Sequence, residues 1–527
     1  MQFVEEKLVS GSLEIQDIIK KYDYPEETIN IIEKENLLPI GLLRRLDNAY
    51  SQYSSIFSTG ELMFKDKDKY VGKKGFREIV EILNSNGIDI GFIPEREFFI
   101  DVYRFMVTKH TLNSINWNSF AKDSLFQLTF PQPGMINEET TKKYVEATSD
   151  EEKKRIVDEH RSLTNPHDGK QQLNKPWYET EEEELKIIEG SQHKYPHVHL
   201  IFDKTTQSCF SFCTYCFRHA QVRGDEDMFI QHETKPVHEY IKRHKEITDI
   251  LITGGDASYM PYERFAEYLL PVIDDSDLAH IKTIRLGTRV LSYFPEMILT
   301  KEYEKILNLF KKLIDNGIQV AFMSHFSTPR EVLNPATVAA VRRLKSIGLT
   351  LKSQSPVMNH ISLFKDENGK TDIDRSAQNW IDLGHVFSML GIGFHSMYCP
   401  RPTGEHHYFS TPLAEMNQVF SKVYRSLPSI SRPSRYITMT SSAGKTSLMG
   451  VTEVNGEKLF VLKFNESRNM EWMDAVMLAK YDENQTVIEK LEPYENGKYF
   501  YEDELAEMEQ KKEETLSKRL KKQNNDK

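Results

Sequence analysis

Three of the four cysteines in this chain fall within the short segment Cys-Phe-Ser-Phe-Cys-Thr-Tyr-Cys, as Cys209, Cys213 and Cys216. Three soft thiolates on one tight loop can bind three irons of a cubane 4Fe-4S cluster, whose fourth iron stays open to chelate S-adenosylmethionine (SAM). A structural zinc site and buried thiols are the alternatives, and zinc would need a fourth ligand. Cys399 could supply it, although a single cysteine is usually a small core residue.

A second candidate motif is Thr253-Gly254-Gly255-Asp256, which follows a predicted strand. Two adjacent glycines let the backbone approach a ligand closely, and the neighbouring carboxylate can bind an ammonium group. A Gly-Gly-Asp segment alone is more often a turn. Because it comes one strand after the cysteine loop, we interpret it as the site for the methionyl amine of SAM.

The elements that would position these motifs are six short segments rich in β-branched and aromatic residues, which predict buried strands. They are VHLIF, TDILITGG, TIRLGT, QVAFMSHF, LTLKSQSP and IGFHSMYC. Helical segments separate them, with Thr300 and Asn334 as predicted N-caps and Gly317 and Gly348 as predicted ends. This α/β alternation predicts a parallel sheet curled into a partial (β/α)6 barrel, with its active site at the C-terminal strand ends.

The chain has 527 residues, more than one hydrophobic core usually organises. We therefore expect four parts: an N-terminal mainly helical region over 1–190, the partial barrel over 191–430, a small C-terminal lobe over 431–500 and a charged tail over 501–527. A net charge of -11 with scattered Lys and Arg argues against nucleic-acid binding. No membrane span or signal peptide is recognisable, so we expect a cytoplasmic protein with a small-molecule substrate.

Taken together, these motifs resemble the lysine 2,3-aminomutase family of radical SAM enzymes that depend on pyridoxal phosphate (PLP). The resemblance covers roughly residues 190–480. It is carried, in the order of that family, by KYP, CFSFCTYCFR, LITGGDAS, IRLGTR, SHFSTPREV, LKSQSP, HYFSTP and SAGKTSLM. It implies a radical SAM barrel, a 4Fe-4S cluster, SAM and PLP, an external flavodoxin- or ferredoxin-type electron donor and the possibility of a homo-oligomer.

The resemblance also assigns residues. It implies that the cluster is bound by Cys209, Cys213 and Cys216, and that SAM is bound by Thr253, Gly254, Gly255 and Asp256, with His325 and Gln354 as further contacts. It implies that Arg218 binds the substrate carboxylate. For PLP, it implies that Lys445 binds the cofactor, that Tyr195 lies beside the PLP ring, and that Lys194 replaces an arginine near the PLP phosphate. A lysine amine is the group that forms a Schiff base with PLP, and Lys445 lies in a turn of small uncharged residues.

The pattern departs from the family at the substrate pocket. Pro400 and Thr438 stand where lysine aminomutases have the two aspartates that bind the substrate ε-ammonium. A buried ammonium without a carboxylate partner is costly, so the predicted substrate of this aminomutase is not free lysine. Arg401 or Arg435 could instead meet an acidic side chain. No zinc is expected, because the additional C-terminal cysteines of some relatives are missing.

Three hypotheses follow. In the first, the enzyme moves an amino group of an amino acid from Cα to Cβ. In the second, a radical SAM enzyme without PLP catalyses another rearrangement or modifies a protein or peptide, with the N-terminal region as a recognition platform. In the third, the chain is a noncatalytic metal-binding protein, against which the intact cysteine loop and Gly-Gly-Asp segment argue.

Overall fold

The computed structural model of this chain describes residues 22–53, 62–164, 173–225, 228–495 and 497–525, together with Ile18. The first 17 residues of the predicted N-terminal region lie outside these ranges. Within the described part, the region before residue 190 contains mainly short helices. They are α1 Glu26–Lys34, α2 Ile40–Tyr50, α3 Gly72–Ser85, α4 Ile93–Val102, α5 Lys109–Ser114, α6 Ser124–Thr129, α7 Glu138–Glu146 and α8 Asp150–Thr164.

Two small antiparallel strand pairs accompany these helices. Strand β1 Lys69–Val71 pairs with β2 Met106–Thr108, and β3 Trp177–Glu179 pairs with β4 Leu185–Ile187. The first pair lies next to the loop that carries the three clustered cysteines, because the backbone N–H of Phe212 on this loop donates to the carbonyl of Met106 on β2 at 2.8 Å.

One eleven-stranded sheet organises the rest of the chain. Its strands are β5 Ser191–Tyr195, β6 Val198–Phe202, β7 Asp249–Thr253, β8 Thr283–Thr288, β9 Gln319–Ser324, β10 Thr350–Pro356, β11 Gly393–Tyr398, β12 Ile437–Thr440, β13 Gly444–Val454, β14 Glu457–Ser467 and β15 Val476–Lys480. Strands β6 to β11 are parallel and lie side by side in chain order. They are the six strands predicted from the sequence, which confirms an α/β fold with a parallel sheet.

Helices follow the parallel strands and continue beyond them. They are α9 His219–Arg223, α10 Lys235–Arg243, α11 Tyr262–Asp274, α12 Val290–Tyr293, α13 Lys301–Asp315, α14 Pro335–Ser346, α15 Ile373–Leu390, α16 His406–Phe409, α17 Leu413–Ser426 and α18 Glu502–Asn525. The predicted caps are confirmed: Thr300 and Asn334 accept hydrogen bonds from backbone N–H groups in the first turns of α13 and α14. Gly317 and Gly348 adopt φ values of 81° and 86° just after those helices.

The sheet does not stop at the predicted start of the C-terminal lobe. Strand β12 pairs in parallel with β11, and β13, β14 and β15 add antiparallel strands beyond it. Two segments of this lobe, EKLFVLKF and DAVMLAKYD, have a strand-like sequence and lie in β14 and β15, but these strands extend the same sheet. Helix α18 is tied to this part of the chain, because the indole of Trp472 donates a hydrogen bond to Glu504 at 2.7 Å.

No helix in the described ranges is both long and apolar enough to span a bilayer. The architecture does, however, define where a site should form. In a parallel sheet all carboxyl ends of the strands face one edge, so the loops that follow β6 to β11 meet there. The cysteine loop and the Gly-Gly-Asp segment follow β6 and β7.

Candidate active site

The three clustered cysteines lie on the loop after β6 as free, partly buried thiols. Burial, together with the neighbouring Cys213, raises the pKa of Cys216 to about 12. Burial also raises the pKa of Cys209 and Cys213. Thiolates here would therefore need a compensating cation, which an iron cluster supplies. Among the described residues, no three donor side chains converge on a single metal-ion position. A cubane cluster does not require such convergence, because each thiolate binds a different iron.

The two glycines of the Gly-Gly-Asp segment pack directly against the cysteine loop. A Cβ added to Gly255 would lie 2.5 Å from the carbonyl oxygen of Ser208 and 3.1 Å from the sulfur of Cys209. Gly254, at a φ of 147°, leaves room for Thr206. The close backbone approach expected from these glycines is therefore made to the loop that carries the predicted cluster ligands.

Asp256 is 2% exposed and its carboxylate already accepts three hydrogen bonds. The donors are the backbone N–H groups of Ser258 and Arg289 and the hydroxyl of Thr288, at 2.9, 2.8 and 2.6 Å. Burial nevertheless raises the pKa of Asp256 to about 6. Asp256 thus ties the end of β7 to the end of β8, and its predicted contact with the amine of SAM stays a prediction.

A cavity of about 240 Å³ brings several predicted site residues together. The predicted residues in its lining are Lys194, Tyr195, Arg218, His325, Gln354, Cys399, Pro400, Arg401 and Lys445. The clustered cysteines and residues 253–256 are not part of this lining. A wider surface cleft of about 810 Å³ in the N-terminal region contains none of the predicted site residues and is lined by paired charges such as Lys73 and Asp101.

Lys445 reaches this cavity from β13, directly across the strand pair from Glu466. Its Nζ lies 2.5 Å from Oε2 of Glu466, which also pairs with Arg435 at 3.3 Å. Burial acts to raise the pKa of Glu466, but Lys445 and Arg435 outweigh it and hold that pKa below its usual value. Lys445 Nζ is also 5.1 Å from the ring centre of Tyr195.

Tyr195 and Lys194 leave polar groups in the cavity wall. Within the described ranges, the buried hydroxyl of Tyr195 has no hydrogen-bond partner, which is unusual for a native structure and suits a ligand contact. Lys194 donates a hydrogen bond to the carbonyl of Ser441, and burial holds its pKa well below the usual value. The two residues therefore fit a ligand that offers an acceptor and a negative charge.

Arg218 is half-buried, with its guanidinium 4.6 Å from the ring centre of Phe202 and 5.0 Å from that of Phe217. Burial lowers its pKa to about 10, and the like charge of Arg401 in the same cavity lowers it too. No Asp or Glu is found among the described residues that line this cavity. Such a wall favours anionic ligand groups.

His325 and Gln354 contact each other through their side-chain nitrogens, at 3.2 Å. Burial, together with the positive charges of Arg289 and Arg218, lowers the pKa of His325 to about 3. His325 is therefore neutral at physiological pH and can offer one donor and one acceptor. The role of His325 and Gln354 as SAM contacts stays a prediction.

Some residues at the site carried no recognisable signal in the sequence. Arg285 lines the cavity from β8. It belongs to the segment IRLGTR, which contributes to the family resemblance but assigns no role to Arg285. Lys69 and Tyr293 contact the cysteine loop from distant parts of the chain. Thr438 and Pro400, which replace the expected aspartates, differ in placement: Pro400 lines the cavity, whereas the Thr438 hydroxyl is buried and bonded to Asn465 and Ser447.

Comparison with known proteins found relatives but no matching family model. The chain is 27% identical over 267 residues to a protein from Aquifex aeolicus (strain VF5) named "Putative L-lysine 2,3-aminomutase", covering 50% of this chain and 66% of that protein. It is 29% identical to the glutamate 2,3-aminomutase of Clostridioides difficile (strain 630), over 30% of this chain and 34% of that protein. It is 24% identical to the L-lysine 2,3-aminomutase of Clostridium subterminale, over 42% and 56%.

The matches therefore span between about a third and two thirds of the length of these relatives. Among solved structures, a radical SAM methyltransferase from Sphaerobacter thermophilus matches with a TM-score of 0.27 and 12% identity, over 50% of this chain and 75% of that chain. A TM-score this low supports no argument about fold or activity.

Proposed function

We propose that this chain, as a lysine 2,3-aminomutase-like protein, is a radical SAM enzyme that depends on PLP. The enzyme would move the amino group of an amino acid from Cα to Cβ. The observation that carries the proposal is the shared cavity: Tyr195, Arg218, His325, Gln354 and Lys445 are far apart in the chain but line one volume. Residues on or directly after each strand from β5 to β13 contribute to its wall, which supports the further proposal of a partial (β/α)6 barrel.

The cysteine loop would hold the cluster. Cys209, Cys213 and Cys216 supply the thiolates, and Gly254 and Gly255 keep the SAM-binding segment in contact with that loop. When bound, the reduced cluster and SAM would supply the radical chemistry needed to remove a hydrogen atom from the substrate β-carbon. A flavodoxin- or ferredoxin-type protein would deliver the electron. His325 and Gln354, which line the cavity, would be further contacts of SAM.

Lys445, Tyr195 and Lys194 would hold PLP. When bound, PLP supplies an electron-accepting ring that stabilises a carbon radical next to the amino nitrogen. The Lys445 amine must lose a proton before it can bond to an aldehyde, and Oε2 of Glu466, at 2.5 Å, is placed to accept that proton. The unpartnered Tyr195 hydroxyl would contact the ring, and the negative charge of the phosphate would favour the ammonium form of Lys194 that burial alone disfavours.

The substrate carboxylate would be bound by Arg218. Its guanidinium fork suits a carboxylate, and the neighbouring Arg401 adds a second positive charge. Burial in this cavity excludes water, which strengthens such pairs. With no acidic side chain in the described lining, a substrate ammonium would have no counter-charge, so we propose that the substrate is not free lysine.

One experiment tests activity and substrate together. The protein would be reconstituted without oxygen with iron, sulfide, SAM, PLP and dithionite, then offered the amino acids one by one and analysed by mass spectrometry for β-amino isomers. We expect a β-amino product from an amino acid other than lysine, and no product from the Cys213→Ala variant. Turnover that does not need PLP would contradict the aminomutase proposal and favour another radical SAM reaction.

A further inference from the structure

Tyr293, at the end of α12, lies outside every motif of the sequence analysis, yet its hydroxyl is 2.9 Å from the sulfur of Cys213. We infer that Tyr293 donates a hydrogen bond to this sulfur and thereby raises the reduction potential of the cluster. Tyr293 would then be a positioning residue that acts on the cluster without binding iron. The inference rests on the proposed assignment of the cluster to the three cysteines.

The direction of this hydrogen bond follows from the second partner of Tyr293. Nη1 of Arg289 lies 3.2 Å from the Tyr293 oxygen, and a guanidinium can only donate. The Tyr293 oxygen is therefore the acceptor from Arg289, which leaves its own proton free for the sulfur. A cysteine that binds iron is deprotonated and can only accept. Tyr293 is thus the donor and Cys213 the acceptor once the cluster is bound.

The surrounding contacts hold Arg289, and through it Tyr293, in one position. Nη1 of Arg289 pairs with Oε1 of Glu331 at 2.9 Å, and Glu331 is 1% exposed. The same carboxylate accepts hydrogen bonds from the Ser292 hydroxyl and the Thr328 backbone N–H. A buried, fully bonded network of this kind keeps its geometry because breaking one contact leaves a charged group unpaired.

The expected consequence is electrostatic. Reduction adds a negative charge to the cluster, and a donor pointed at a ligating sulfur stabilises that charge more than the oxidised state. Tyr293 is 1% exposed, so water does not screen the interaction. Removing the hydroxyl should therefore make the cluster harder to reduce.

The test is Tyr293→Phe, which removes only the hydroxyl. The midpoint potential of the reconstituted full-length protein would be measured by a redox titration followed by electron paramagnetic resonance. We expect a more negative midpoint potential with iron and sulfide contents equal to wild type. Tyr215→Phe is the control: the Tyr215 hydroxyl accepts from Nη2 of the same Arg289 at 2.7 Å, but among the described residues it makes no hydrogen bond to a sulfur. The control should shift the potential less.

A second measurement detects the proton of this hydrogen bond directly. In the wild-type protein, electron-nuclear double resonance on the reduced cluster should detect a coupled proton that exchanges in D2O, and Tyr293→Phe should lack it. No such proton in wild type, an unchanged potential at full iron content, or equal shifts in both variants would overturn the inference while leaving the cluster assignment intact. A wild-type protein that takes up no cluster would overturn both.

Discussion

The Lys445 side chain is held by a charged neighbour, as the proposed covalent bond to PLP would require. Its Nζ lies in the wall of a cationic cavity, with one carboxylate, Glu466, close by. The ion pair holds the lysine in a single orientation towards the ring of Tyr195. A lysine on the outer part of the same sheet would be solvated and would not be held in this way.

The first prediction concerns this lysine. Lys445→Ala should abolish the PLP that borohydride reduction fixes to the protein, and should abolish turnover, while iron content stays at the wild-type level, because PLP and the cluster bind to different segments. Peptide mapping by mass spectrometry after reduction measures the effect. Lys463→Ala, on neighbouring β14 and outside the described cavity lining, is the control and should retain the adduct. An adduct on another lysine, with Lys445 unmodified, would refute the assignment.

The second prediction is the pH dependence of the Lys445–Glu466 pair. Because the pKa of Glu466 is depressed in the folded protein, its ion pair stabilises the fold above the pKa of an ordinary glutamate, and this contribution is lost as the pH falls through the folded-state value. Glu466→Gln should therefore lower the melting temperature of the PLP-free protein at pH 7, by an amount equivalent to about 1–3 kcal/mol.

The difference between wild type and Glu466→Gln should shrink as the pH falls through the folded-state pKa of Glu466, which lies below the usual glutamate value, because the carboxyl then becomes protonated. Thermal unfolding at several pH values from 7 downwards measures this difference. A difference that already disappears well above the usual glutamate pKa of about 4.3 would contradict the prediction. Glu453→Gln, on an exposed part of β13, is a suitable control.

At the scale of the elements, the parallel strands and helix ends could be predicted because their signals are local. Thr300 caps α13 through a neighbour three residues away, and Gly348 ends α14 through its own φ. The pairing of the C-terminal strands is not local: EKLFVLKF predicts a strand, but nothing in it indicates that it joins the main sheet through β13. Sequence reasoning therefore found these strands but placed them in a lobe of their own.

The Gly-Gly-Asp segment likewise makes a contact that could not be predicted from its own sequence. The glycines were expected to approach a ligand, and that interpretation needs only their lack of a side chain. The structure shows that they also approach Thr206, Ser208 and Cys209 on the preceding loop. Such a contact between two loops depends on the spacing of β6 and β7, which a sequence motif does not contain.

The third prediction follows from this contact. Gly255→Ala would place a methyl group 2.5 Å from a backbone carbonyl that cannot rotate away, so the cysteine loop must shift. We expect most of the iron to be lost, since overpacking against backbone exceeds the cost of about 1–3 kcal/mol usual for side-chain crowding. Gly393→Ala, where the nearest atom lies at 3.6 Å, should bind iron normally. Full iron content in Gly255→Ala would show that the loop tolerates the shift.

At the scale of the whole molecule, the N-terminal region is part of the proposed cluster site. The backbone N–H groups of Phe212 and Thr214, on the cysteine loop, donate to the carbonyls of Met106 and Leu128, both at 2.8 Å. The buried hydroxyl of Ser211 accepts from the backbone of Thr108 on β2. These contacts could not be predicted from the sequence because the partners lie about a hundred positions apart and carry no motif.

Lys69 on β1 makes a charged contact between the N-terminal region and the cysteine loop. Its Nζ donates to the carbonyl oxygen of Cys209 at 2.8 Å and to the hydroxyl of Tyr259 at 2.7 Å. Burial lowers the pKa of Lys69, whereas the proximity of Cys209 acts to raise it. A negatively charged cluster would strengthen that second effect, so cluster binding and the Lys69 ammonium should stabilise each other.

The last prediction tests this coupling with Lys69→Met, which keeps the length of the side chain but removes its charge and its hydrogen bonds. Losing a charged hydrogen bond to a buried carbonyl costs about 1.5–3 kcal/mol, which corresponds to roughly a tenfold or greater increase in the rate of iron loss to a chelator. Release of iron to a coloured chelator without oxygen measures that rate. Lys67→Met is the matched control, because Lys67 pairs with the partly exposed Glu78 and has no recorded contact with the cysteine loop. Equal rates of iron loss in the two variants would show that the N-terminal region holds the loop through its backbone contacts alone, whereas selective loss in Lys69→Met would place Lys69 among the groups that retain the cluster.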